Sequence, residues 1–477
     1  MLKFQYSNAA FSYKGKTVVS GVSFEVGDGV HIGITGKVGS GKTMLLKSLT
    51  GILPLKEGER YFEHEGKEIS AYDFSLLTEL VEFSEQNKFF KPGSHFYQQR
   101  YQSLEDDESR SLLVKDYLEA RGMDLKDEFH ATILSKGRVD QLFNRKLIHI
   151  SSGQRKRMQL CIALSKKPRL LLLDHPYTGI DQTTRIELDE WLNEMSESFG
   201  IQLVIAANES ELPSFVKNKL VVGSKGDSYG DDPQNRLDQL IEALQHKSAA
   251  TFNSAINMQG VNLGYNNVEI LQGLDWQVDK GDRVGMKGEN GSGKSSLLSL
   301  VYGDNPLAYN KEIYLFDKKR GTGESIWDIK RNIGFVSSEF HLYMSDHITC
   351  EKLIGTGYFD QLFIPRKLNE KELQRIDLFL TYFGVMSLKS RYFHEISIGE
   401  QRLILLIRAL IKNPPLLLLD EPYHCFDDDT IEKANTLIET LINTFQSTLV
   451  FISHSEEVFP KSINKRFELI DGRLKSI

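Results

Sequence analysis

Two stretches of this chain have the residue types and spacing of a phosphate cradle: GKVGSGKT at 36–43 and GENGSGKS at 288–295. Gly36, Gly39 and Gly41, and likewise Gly288, Gly291 and Gly293, let successive backbone N–H groups turn toward one point, with Ser40, Asn290 and Ser292 in the same loops. Lys42 and Lys294 follow and are placed to reach the β- and γ-phosphates of a nucleotide, while the hydroxyls of Thr43 and Ser295 are placed to hold Mg²⁺. A helix starting at each lysine would add the positive end of its dipole. One such loop could be an ordinary glycine-rich turn. Two copies, each followed by the same further motifs, argue against that.

These loops need buried strands behind them. HIGIT before the first loop, and LLLL before Asp174 and Asp420, are wholly apolar runs that read as strands of a parallel sheet covered on both faces. Helix-like segments follow them, which predicts an α/β layered fold.

The whole pattern occurs twice. ISSGQRKR at 150–157 returns as ISIGEQRL at 396–403, RLLLLDHPYTGID at 169–181 as LLLLDEPYHCFD at 416–427, and LVIAANES at 203–210 as LVFISHSE at 449–456. These pairs share one offset of 246 residues (150 to 396, 174 to 420, 203 to 449), so whole domains are duplicated. The predicted organisation is a first domain over 1–225, a linker over 226–252 and a second domain over 253–477. In the linker, Pro233 could begin a helix, with Leu237, Leu240, Ile241 and Leu244 at helical spacing. The linker is acidic: Asp227, Asp231, Asp232, Asp238 and Glu242 stand against Arg236 and Lys247.

Composition bounds the rest. The 477 residues carry a net charge of −7, which gives no bulk attraction to nucleic acid, and no strong nucleic-acid signal emerges from the motifs. Cys161, Cys350 and Cys425 are scattered without a CxxC pair, so neither a disulfide framework nor an iron–sulfur cluster is expected. No apolar run approaches the roughly 18–20 residues that cross a bilayer. The first residues lack the layout of a signal peptide. The expected location is the cytoplasm, peripheral on the inner face of the membrane if a transmembrane permease is the partner.

ISSGQ and ISIGEQR, each followed about 20 residues later by LLLLD, resemble the signature of ATP-binding-cassette (ABC) ATPases, and the resemblance covers nearly the whole chain. It implies two P-loop nucleotide-binding domains in tandem, each with a mixed or parallel sheet core and a helical subdomain, binding ATP and Mg²⁺. It also implies head-to-tail pairing, each nucleotide lying between one phosphate loop (Walker A) and the other cassette's signature. Pairing within one chain is favoured by the short tether. Tyr13 in FSYKGK and Tyr265 in LGYNNVEIL fit the family's adenine-stacking position, although tyrosines near strand ends are often packing residues.

Sorted by site, the implied roles are unequal. The second site takes the loop from Gly288 to Ser295 with Asp420 for Mg²⁺, Glu421 to polarise the attacking water and His454 to hold the γ-phosphate, and borrows Ser151, Gly153 and Gln154. Where the family has a Q-loop glutamine, this site offers Ser338. The first site has Asp174, borrows Ser397 and Gly399, and keeps Gln86 at its Q-loop. Yet His175 stands at the catalytic glutamate position and Asn208 at the histidine position. His175 could serve as a compensating base. A site that binds ATP and turns it over slowly explains the double loss better.

Within the family, IGFVSSEFHLYM, IGTGYFDQLF and the stretch 395–422 resemble the molybdenum-transport and photorepair (ModF/PhrA) tandem ATPases. Neither substrate follows from any residue. The expected function is the energy-coupling ATPase of a membrane transporter, with one hydrolytic and one degenerate site. Phe89, Phe90, Phe96 and Tyr97 are available as partner contacts, a pattern core packing explains equally well. The alternative is a soluble ATP-driven switch acting on a ribosome or nucleic-acid complex, disfavoured by the short acidic linker.

Overall fold

A computed structural model describes the chain apart from residues 1, 14–15, 52, 84–111, 148–149, 179, 181, 224–232, 245–250, 266–267, 290, 338–343, 345–346 and 455. The described residues up to Gly223 form one compact unit and those from Pro233 onward another.

In the first unit β1 (Leu2–Tyr13) and β2 (Lys16–Val26) make a hairpin, and β3 (Ile32–Thr35) leads through the glycine loop into α1 (Lys42–Leu49). β4 (Leu55–His64), β5 (Lys67–Glu68), α2 (Ala71–Leu76) and β6 (Thr78–Glu82) follow, then α3 (Val114–Ala120), α4 (Glu128–Lys136) and α5 (Ser152–Ser165). β7 (Leu170–Asp174), α6 (Gln182–Phe199), β8 (Gln202–Ala206) and β9 (Asn218–Val221) complete the unit. Two sheets result: an antiparallel one in the order β2-β1-β4-β5 and a parallel one in the order β6-β7-β8-β3-β9.

The apolar runs behave as period-2 strands buried on both faces. Leu170 and Leu172 of β7 face a core that includes Phe4, Phe11, Leu45 and Leu49, while Leu171 and Leu173 face a second core with Leu134, Leu160, Trp191 and Leu192. One strand thus holds α1 and the antiparallel sheet on one side and the helical layer on the other.

The second unit opens with α7 (Pro233–Leu244), the helix predicted in the linker, and repeats the plan with β10 (Ser254–Tyr265), β11 (Val268–Asp279), β12 (Arg283–Lys287) and α8 (Lys294–Tyr302). It continues through β13 (Ile313–Leu315), β14 (Lys318–Lys319), α9 (Ile326–Lys330) and β15 (Ile333–Val336) to the helices α10 (Cys350–Gly355), α11 (Glu370–Phe383) and α12 (Ile398–Leu410). The last elements are β16 (Leu416–Asp420), α13 (Asp428–Phe445), β17 (Thr448–Ile452), β18 (Lys465–Ile470) and β19 (Arg473–Ser476). Its core sheet runs β15-β16-β17-β12-β18-β19, parallel except for the last pair.

In both sheets the loop-bearing strand lies beside the strand that ends in the His/Asn motif, which lies beside the strand ending in Asp. The carboxyl ends of three parallel strands therefore meet at one edge, where open α/β sheets bind ligands.

The linker helix is part of the second unit. Leu237, Leu240, Ile241 and Leu244 are buried, Arg375 Nε of α11 donates to the Ala243 carbonyl at 2.8 Å, and Asn413 Nδ2 reaches the Leu244 carbonyl at 3.5 Å. Truncating a fully buried leucine removes its transfer energy and leaves a cavity. Leu240→Ala is therefore expected to destabilise the second unit by about 2–4 kcal/mol and leave the first unchanged. Hydrogen exchange of the full chain in denaturant checks this unit by unit.

Candidate active sites

The two phosphate loops make the same close approach to the strand end beside them. Gly36 has φ +146°, and a Cβ there would lie 2.4 Å from the Val222 carbonyl; at Gly288 a Cβ would lie 2.6 Å from the Leu469 carbonyl. Gly41 and Gly293 cap α1 and α8 in the left-handed region, at φ +97° and +104°. Only glycine meets both demands without strain. Lys42 Nζ curls over its loop to the carbonyls of Gly36 (2.6 Å) and Lys37 (3.1 Å), and Lys294 Nζ to those of Gly288 (2.5 Å) and Glu289 (2.7 Å). The hydroxyls of Ser40 and Ser292 are buried and meet no hydrogen-bond partner among the described residues. Buried polar atoms normally find partners, so a cradle with a spare hydroxyl and a lysine at its mouth fits a phosphate chain.

The donors for a hard cation lie next to it. Thr43 Oγ1 donates to Asp174, 2.9 Å from Oδ2 and 3.2 Å from Oδ1, a hydroxyl–carboxylate pair of the kind that holds Mg²⁺ beside phosphates. Burial pushes Asp174 up to about 6, opposed by the Thr43 hydroxyl and reinforced by Glu82. In the second unit Ser295 and Asp420 occupy the same places, on α8 and at the end of β16.

Beyond these the sites diverge. His175 and Glu421 sit at the same turn after Asp, both left-handed (φ +50° and +48°), each with its amide bonded to the neighbouring strand, at Ala206 O (2.8 Å) and Ile452 O (3.0 Å). The backbone is common; the side chains are not. Glu421 accepts from the His454 amide (2.7 Å) and from Ser453 Oγ (3.2 Å), and His454 Nε2 lies 3.6 Å from it. His454 Nδ1 is 3.1 Å from the Gly288 carbonyl, which ties the histidine to the phosphate loop. Burial, with the Asp420 carboxylate adjacent, pushes Glu421 up to about 8.

In the first unit the Asn208 amide donates instead to Glu211 Oε2 (3.1 Å) within its own turn. Ala207 stands where the other unit has Ser453. His175 is buried, with Nε2 3.9 Å from Asp174 Oδ1, and burial with Lys42 nearby pushes it down to about 4. It is neutral at pH 7 and a weaker base than an ordinary histidine.

Both signatures open helices. Ser151 caps α5 and Ser397 caps α12, each in a capping box whose third residue, Gln154 or Glu400, bonds back to the serine amide. Gly153 and Gly399 lie in the first turns. Tyr13 ends β1 with its ring half exposed, and Tyr265 ends β10 at the equivalent hairpin position; the side chain of Tyr265 falls outside the described residues. Asn290, Gln86, Ser338 and the aromatics Phe89, Phe90, Phe96 and Tyr97 also lie outside them.

Sequence reasoning missed two parts of this geometry. Ser453 was legible in the aligned AAN and ISH triplets, where Ala207 faces it. The buried cations Lys156 and Arg402 of the signature helices had no sequence signal. Lys156 Nζ donates to the Pro176 carbonyl (2.8 Å) and Arg402 Nη1 to that of Ser337 (3.2 Å).

A glycine cradle at the end of a parallel strand, a buried aspartate bonded to the loop's threonine, and a serine-capped helix in the same unit define a P-loop nucleotide hydrolase. The ABC transporter family model matches residues 19–178 and 271–424, and the chain belongs to that family: it is a tandem-cassette ABC ATPase. The ABC transporter ATP-binding protein ModF of Escherichia coli (strain K12) is 33% identical over 469 residues, covering 92% of this chain and 91% of that protein. An uncharacterized ABC transporter ATP-binding protein of Schizosaccharomyces pombe is 30% identical over 490 residues, covering 98% of each. Another from Saccharomyces cerevisiae is 25% identical and covers 76% of this chain and 75% of its own length. Among the described residues no helix is long and apolar enough to cross a membrane.

The raised Glu421 value has a stability consequence in the nucleotide-free protein. The folded state holds this proton up to about pH 8, the unfolded chain only to about 4.5, so the contribution is complete below 4.5 and is lost as pH rises through 8. Glu421→Gln should therefore melt higher than the parent at pH 8.5 and show a flatter pH dependence between 5 and 9. Thermal melts of the nucleotide-free chain across that range decide it.

Proposed function

We propose that the second cassette's machinery performs the hydrolysis, that the first binds ATP and turns it over slowly, and that the chain is the energy-coupling ATPase of a membrane transporter. The observation that carries the asymmetry is the pair Glu421 and His175 on one shared backbone. Glu421, with a proton affinity near working pH, is matched to polarise water and accept its proton. His175, pushed down to about 4, is poorly matched to that role.

Lys294 and the amides of the loop from Gly288 to Ser295 bind the phosphates, and Ser295 with Asp420 would hold Mg²⁺, whose charge offsets that of the phosphates. His454, anchored to the Gly288 carbonyl and to Glu421, keeps the base and the phosphate loop in register. Thr43 with Asp174 would hold Mg²⁺ at the first loop. In this reading the two signatures act on bound nucleotide, through Ser151, Gly153 and Gln154 and through Ser397 and Gly399. Coupling to a permease is supported by the family's description and by the relatives' names, each an ABC transporter ATP-binding protein.

Glu421→Gln is expected to lower kcat by about 10²-fold or more while retaining bound ATP; wild-type turnover in that variant would sink the site assignment. His175→Glu alone should change total turnover by less than about twofold, because Asn208 and Ala207 still leave the base without its partners.

The coupling reading is tested by purifying the Glu421→Gln chain with ATP from detergent-solubilised cells and identifying what comes with it. A stoichiometric multi-span membrane protein is the expected result. Ribosomal or other soluble proteins without one would replace transport by the soluble switch.

A further inference from the structure

The loop between β14 and α9 has no counterpart in the first unit. Ser70 caps α2 and Ser325 caps α9 in the same way, each accepting from the amide three residues on, at Asp73 and Asp328. Between strand and cap the first unit has one residue, Ile69, and the second has five, Arg320 to Glu324. The phosphate loop and the turn after the aspartate form in both units, so they do not depend on this insertion.

The loop helps to wall a cleft of about 720 Å³ between the β13–β14 hairpin and α9. That volume lies in the range of small-molecule sites. Leu315, Phe316 and Ile329 give the cleft apolar surface, and Lys318, Arg320 and Arg331 give it cations. The two carboxylates that also line it are already committed. Glu324 accepts from Arg320 Nη1 (3.1 Å) and from the amides of Gly321 (2.7 Å) and Thr322 (3.1 Å). Asp328 accepts from the Ser325 amide (3.1 Å) and hydroxyl (2.9 Å) and lies 3.6 Å from Arg331 Nη1.

Arg320 is the member without a full set of partners. It is 3% exposed, and its Nε and Nη2 are enclosed and meet no hydrogen-bond partner among the described residues. Unmet buried donors cost free energy, and a guanidinium has five N–H groups to satisfy. The ring of Tyr309 lies over this guanidinium, 5.3 Å from its carbon, and is itself half exposed. Exposed side chains change rotamer readily, so a turn of that ring opens the arginine to the cleft. Lys318 makes no ion pair among the described residues and adds a second cation to the same wall.

We propose that this cleft is a binding site, separate from the two nucleotide sites, for a small organic anion whose carboxylate or phosphate oxygens accept from Arg320. Planar oxyanions match the guanidinium fork, and charge-assisted hydrogen bonds of this kind are the strong ones. Lys318 steadies the same charge, and the apolar body of the ligand lies on Leu315, Phe316 and Ile329. Neither cassette's hydrolytic role enters the argument.

The test uses the full chain with Mg²⁺ and a saturating non-hydrolysable ATP analogue, so that both phosphate loops are filled. Benzoate and phenyl phosphate are titrated separately by ligand-observed NMR. At least one should bind saturably with a Kd of about 5 mM or tighter, and the tighter of the two identifies the headgroup. Hydrogen exchange with that probe bound should slow within 315–332 and stay unchanged in α1 and α8. Lys318→Glu should weaken the probe at least about fivefold with an unchanged melting temperature, and Arg320→Met should remove measurable binding. Lys56→Glu, a charge reversal on the first unit, should leave the Kd unchanged.

No saturable binding by either probe overturns the proposal, as does exchange that slows elsewhere and not within 315–332. Equal weakening by Lys56→Glu also overturns it, because it marks unspecific ionic attraction. Should Arg320→Met fail to fold, Lys318→Glu decides alone: full affinity in that variant overturns the site.

Discussion

A chain that binds a polyanion with its own backbone must hold several N–H groups at one point without letting the loop collapse. Here that constraint is met by glycines that bring the loop against the carbonyls of Val222 and Leu469 and turn left-handed into α1 and α8. The loop can be so tight because the strand before it is buried between two parallel neighbours. The all-leucine strands, the helices that cover them and the antiparallel sheets all serve to keep that edge fixed.

The same edge carries the candidate site residues, and duplication makes it a controlled comparison. Both units place a non-glycine residue in the left-handed region one position after the aspartate, a conformation worth about 1–3 kcal/mol of strain. Both brace the following loop through a tyrosine hydroxyl, Tyr177 on Asp189 and Tyr423 on Asn435, each at 2.6 Å. The strain is retained where the glutamate is replaced, which shows that the turn belongs to the scaffold. What differs is the hydrogen-bond set that faces it. Glu421 collects the Ser453 hydroxyl and the His454 amide; around His175 the corresponding amide has turned to Glu211.

Much of this was legible beforehand because the motifs depend on local rules. Glycine spacing reports a backbone that only glycine adopts, and a run of four leucines reports a strand with no solvent face. A serine before a Gln or Glu at the third helical position reports a capped helix, as at Ser151 and Ser397. The linker helix was readable from its leucine spacing. Its docking on α11 and Asn413 was not, because an amphipathic stripe says that a partner exists and not which one.

The sequence by itself determined the duplicated P-loop architecture, the two glycine-rich loops and the change from Glu421 and His454 in the second half to His175 and Asn208 in the first. Each of these is a matter of residue type at a fixed local spacing. Tertiary structure alone decided the proton affinities of Glu421, Asp174 and His175, since burial and charges brought from distant segments set them. It alone also brought Asp304, Lys330, Asp360 and Lys412 into one enclosed corner. Charged residues scattered over about a hundred positions look like surface residues in a sequence, and only the packing that excludes water from them makes them a buried cluster.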